Sequence, residues 1–65
     1  MEATDEDRAE AARLALLPKA LQREAVEMIR SPADDPDVSA EDRAEATRRA
    51  NALRALLRLN PKGAR

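Results

Sequence analysis

The residues whose types and spacing come nearest to chemistry are the acids of the central segment. Asp35, Asp37, Ser39 and Glu41 alternate as the oxygen ligands do in the first half of a calcium loop. Such a loop also needs glycine at its sixth position for the sharp turn and a bidentate glutamate at its twelfth. Ala40 and Ala46 stand at those two places. The acids are therefore read as turn and helix-cap residues rather than as ligands, and no metal-binding residue is assigned.

Other reactive groupings are missing at the level of composition. The chain has no His and no Cys, which removes the usual zinc ligands, the usual catalytic base and any thiolate nucleophile. The single glycine, Gly63, cannot form a phosphate-cradling loop. The carboxylates fall in cap turns and on solvent faces, none beside an apolar pocket that would raise its pKa. No catalytic or cofactor-binding residue is assigned, and neither enzyme activity nor a small-molecule substrate is expected. Arg43, Arg48, Arg49, Arg54 and Arg58 sit on one stretch and could meet phosphates, but Glu41, Asp42 and Glu45 share it. With no aromatic residue to stack on a base and a net charge of −1, the stretch reads as a solvated, salt-bridged face and not as a nucleic-acid surface. Glu45–Arg49, at i, i+4, is one such pair.

The elements that carry these residues are all helical in pattern. Sixty-five residues allow one domain with a thin core, which commonly needs a disulfide, a metal or oligomerisation to hold it. Without Cys or His, oligomerisation and strong helix propensity remain; Ala, Leu, Glu, Arg and Gln fill most positions. Residues 1–40 carry ten acids and five bases, residues 41–65 three acids and seven bases. This is helix-dipole placement, with head-to-tail attraction between the halves as the alternative. No apolar run reaches the length of a membrane span, and the acidic N-terminus does not resemble a signal peptide.

In chain order, Thr4–Asp7 reads as a capped start of a first helix over about 5–16. Ala9, Ala12 and Leu16 share one face at about 100° per residue, with Leu14 and Leu17 pointing away. Pro18 is placed at the first position of a second helix, about 18–30; the alternative is a two-helix hairpin whose first helix is kinked at Pro18. The second helix is amphipathic through Leu21, Ala25, Met28 and Ile29, with Val26 at the edge of the stripe. Pro32 and Pro36 make 31–38 a loop. Ser39 caps a third helix over about 40–59, and Asn60–Pro61 ends it before a tail over 60–65. Ala46, Ala50, Leu53 and Leu57 lie on one face of that helix; Ala52, Ala55, Leu56 and Leu59 open a second after Ala50. The expected core is Leu16, Leu21, Ala25, Met28, Ile29, Ala46, Ala50, Leu53 and Leu57. The apolar residues left over, Leu14, Leu17, Ala52, Leu56 and Leu59, are expected at an interface between chains.

The capped starts Thr4–Asp7 and Asp37–Asp42, the Ala/Glu/Arg filling, the Ser31–Val38 loop and the Asn60–Gly63 ending resemble computationally designed helical mini-proteins. The likeness is one of style over the whole length, nearest to a protomer of a designed symmetric homo-oligomer. It implies an all-α three-helix bundle, completed by copies of itself, with no cofactor and no natural activity. A designed helical binder of a protein target is an alternative, although the lack of aromatics argues against large interface anchors. The excess of Arg over Lys is similar to that of high-GC bacterial proteins, and keeps open a natural small helical interaction or regulatory protein.

Overall fold

A computed structural model describes residues 3–59. They form three α-helices: α1 Asp5–Leu14, α2 Lys19–Arg30 and α3 Ala40–Leu57, with a short 3-10 helix, Ser31–Asp34, between α2 and α3. The described residues are all-helical, as the pattern predicts, and the fold is a small three-helix bundle.

Each boundary has a local cause. At the start of α1 the Asp7 N–H donates to Thr4 Oγ1 at 3.1 Å and the Thr4 N–H donates to Asp7 Oδ2 at 3.0 Å, a reciprocal capping box. The helix stops at Leu14, two residues earlier than the periodicity suggests, because Pro18 has no N–H to bond the Leu14 carbonyl four residues back. The chain closes instead through tight turns, Leu16 N–H to Arg13 O and Leu17 N–H to Leu14 O. Pro18 itself has ψ 153°, outside the helix, and serves as the N-cap of α2 rather than its first residue. Its carbonyl accepts the first helical bond, from the Gln22 N–H at 3.0 Å. Pro18 therefore separates two helices, and the kinked-hairpin alternative is set aside.

At the start of α3, Ser39 Oγ accepts from the Asp42 N–H at 3.2 Å. The helix ends at Leu57, before the expected Leu59, with Arg58 in the left-handed region at φ 57°. The Leu59 N–H reaches back to Arg54 O at 2.9 Å and the Arg58 N–H to Ala55 O at 3.2 Å. That is a Schellman ending, in which the residue after the left-handed one folds back onto the helix. It explains why Leu59 is buried in the same cluster as Leu53 although it lies outside the helix. Asn60 and Pro61, the expected stop, lie outside the described residues.

α3 is the hub. α1 and α2 each pack on it and make little contact with each other. Lys19 Nζ donates to Leu57 O at 2.9 Å and Arg54 Nη2 to Glu27 Oε2 at 3.0 Å, so α2 runs antiparallel to α3. Asp7, at the start of α1, lies against Arg48 and Arg49, midway along α3; α1 therefore runs parallel to α3 and covers only its C-terminal half. The core gathers Ala11, Leu14, Val26, Ala50, Leu53, Leu57 and Leu59, with Ala25 and Ile29 packed at its margin. No helix among the described residues is long and apolar enough to cross a membrane.

Candidate interaction surface

The phase of each helix decides which side chains are left for a partner. Along α3 the expected face holds: Ala46, Ala50, Leu53 and Leu57 are buried. Its second face is covered in part within the chain, where α1 lies over it, and Ala55 stays exposed. Ala52, Leu59 and Leu14 are buried there, which removes three of the residues expected between chains. Leu56 and Leu17 stay 39% exposed.

α1 and α2 are both rotated from the expected phase. The buried residues of α1 are Asp7, Ala11 and Leu14, spaced i, i+4, i+7, whereas Ala9 and Ala12 face solvent. Leu16, expected in the core, is 87% exposed, since it lies past the end of the helix on the turn. In α2 the buried residues are Gln22 and Val26, with Ala25 and Ile29 half-buried. Leu21 and Met28, also expected in the core, are 45% and 77% exposed. In both helices the buried stripe contains a polar residue that a search for apolar periodicity leaves out. Once Asp7 and Gln22 are counted, 7–11–14 and 22–26–29 are the inward stripes.

Each of these two polar residues has a partner, although Gln22 Oε1 is buried without one. Asp7 is fully buried. Arg48 Nη1 donates to its Oδ2 at 2.7 Å and Arg49 Nε to its Oδ1 at 3.4 Å, in addition to the Thr4 N–H. The Arg48 hydrogen bond holds the Asp7 carboxyl far below the usual carboxylate range, burial opposes it, and the Thr4 bonds add to the lowering. Arg48 also grips Glu45 with two bonds, Nε to Oε1 at 3.1 Å and Nη2 to Oε2 at 2.8 Å. That bond lowers the Glu45 carboxyl as well, and the Glu45 and Asp7 bonds together raise the Arg48 guanidinium. Glu45 thus pairs with Arg48 rather than with Arg49, as expected from spacing, because Arg49 turns to Asp7. Gln22 Nε2 donates to Leu17 O at 2.8 Å, across the turn at Pro18.

The remaining acids and cations have local roles. Asp35 Oδ1 accepts from the Asp37 N–H at 2.9 Å, an Asx turn, and Arg30 pairs with Asp34 at 3.3 Å. Among the described residues, no three His, Cys, Asp or Glu converge as metal ligands. Arg54 is held by Glu27 and Asn51, and Arg13 pairs with Glu10. A concave feature that draws on several elements is a groove of about 470 Å³. Its apolar wall is Met28, Ile29, Pro32, Val38 and Ala46, and it is open to solvent with Asp42, Glu45 and Arg49 on its rim. It lies beside the N-terminal half of α3, where α1 does not reach.

Set against known proteins, the chain matches no family model, no curated protein and no solved structure.

Proposed function

We propose that this chain is a structural protomer that self-assembles into a helical homo-oligomer. One observation carries the reading. Five large apolar side chains, Leu14, Val26, Leu53, Leu57 and Leu59, are buried, and five others, Leu16, Leu17, Leu21, Met28 and Leu56, are exposed. Four of the nine buried apolar residues are Ala, so the intrachain core is thin while comparable apolar surface is left outside it. Burying a large aliphatic side chain contributes roughly 1.5–3 kcal/mol, and a second chain is the simplest cover for that surface. The style shared with designed helical mini-proteins supports the same purpose. Light scattering across a hundredfold concentration range tests it: the expected mass is a multiple of the 7.2 kDa chain. A protomer mass throughout overturns self-assembly and favours a protein target of different sequence on the same surface.

A further inference from the structure

The exposed apolar residues have a definite layout. Leu16 and Leu17 form the turn joining α1 to α2, at the end of the bundle where Lys19 meets Leu57 O. The groove lies toward the opposite end, where the 3-10 helix and Val38 meet the first turns of α3. Leu21 and Met28 are seven apart on α2, within about 20° of each other around its axis, and both are exposed. They form a stripe on one side of α2 that leads from the turn to the groove.

The two ends also differ in charge. The exposed cations Arg13, Lys19, Arg23 and Arg58 lie toward the turn and outnumber the acids among them, Glu10 and Glu24. At the groove end lie the exposed acids Asp34, Asp35, Asp37, Glu41, Asp42 and Glu45, which outnumber the cations Arg30, Arg43 and Arg49 there. An apolar knob thus sits at a basic end, and an apolar groove at an acidic one.

We infer that two copies of this chain pack antiparallel along α2, the Leu16–Leu17 turn of each seated in the groove of the other between Met28 and Val38. This inference rests on the self-assembly reading and specifies its surface and symmetry. Antiparallel packing brings the basic end of one copy over the acidic end of its partner, the complementarity that orients an encounter and rejects the parallel arrangement. It sets Leu21 opposite the second copy's Met28, so that each exposed residue of the stripe gains an apolar neighbour. A two-fold axis repeats the contact and closes the assembly, whereas a single knob-to-groove contact without that axis would run on as an open chain. The intrachain fold already leaves both parts of the contact formed: the knob because Pro18 ends α1 early, the groove because α1 starts only level with Arg48.

Two variants on the most exposed residues test the contact without touching the core, Leu16→Glu for the knob and Met28→Glu for the groove. Circular dichroism should show unchanged helix content in both. Wild type is expected at twice the 7.2 kDa chain mass, and each variant alone at the single-chain mass. A Leu16→Glu or Met28→Glu chain that assembles like wild type overturns the knob-and-groove contact while leaving self-assembly standing. A wild-type chain that is monomeric throughout overturns both.

Discussion

Asp7 is the residue on which the placement of α1 depends. Its three donors come from Thr4, Arg48 and Arg49, so one carboxylate both caps its own helix and ties it to the hub. Breaking a buried ion pair costs about 3–5 kcal/mol when the surviving charge is stranded, and losing a cap about 1 kcal/mol. Here Arg48 and Arg49 are 30% and 36% exposed and Arg48 keeps Glu45, so the charges left behind regain water and a partner. Asp7→Ala should therefore destabilise by about 2–3 kcal/mol, read from urea unfolding followed by circular dichroism, the chain having no Tyr or Trp. The same group sets an acid dependence. Its folded pKa lies below its unfolded value, so its contribution is complete above the usual carboxylate range and is lost as pH falls through that range toward the folded pKa. Stability of the wild type should fall as pH drops below about 4, and Asp7→Asn should flatten that part of the curve; parallel curves for the two proteins would remove Asp7 from this role.

At the scale of the element, the number of helices, the caps at Thr4 and Ser39 and the break at Pro18 were legible in the sequence, since each rests on a residue whose side chain or ring acts on its own backbone. The inward face of α3 was legible too, because 46–50–53–57 is apolar throughout. The faces of α1 and α2 were not: their stripes include Asp7, held by Arg48 and Arg49 of α3, and Gln22, held by the Leu17 carbonyl across the turn. The C-terminal stop of α3 left no mark either. Arg58 takes a left-handed conformation that costs an L-residue roughly 1–2 kcal/mol, and it does so because the turn returns Leu59 to the core. Arg58→Gly should accordingly raise stability by about 1 kcal/mol without changing helix content; the measure is the midpoint of urea unfolding, and a lower midpoint would count against the left-handed cap.

For the molecule as a whole, the arrangement follows from one long helix with two apolar faces and two short helices that cover them unequally. α2 runs along α3 beside its first face, and α1 lies over the C-terminal half of its second. What the short helices leave uncovered is the surface assigned to self-assembly: the Leu16–Leu17 turn, the Leu21–Met28 stripe and the groove beneath Val38. The distinction between a protomer and a self-sufficient domain lies in whether that surface meets water or another chain. The most direct measurement is the solution mass of the wild type beside that of the double variant Leu16→Glu/Met28→Glu, at matched concentrations and with helix content checked. Self-assembly through this surface predicts a multiple of the 7.2 kDa chain for the wild type and the single-chain mass for a double variant that remains helical. Equal masses for the two proteins would contradict it.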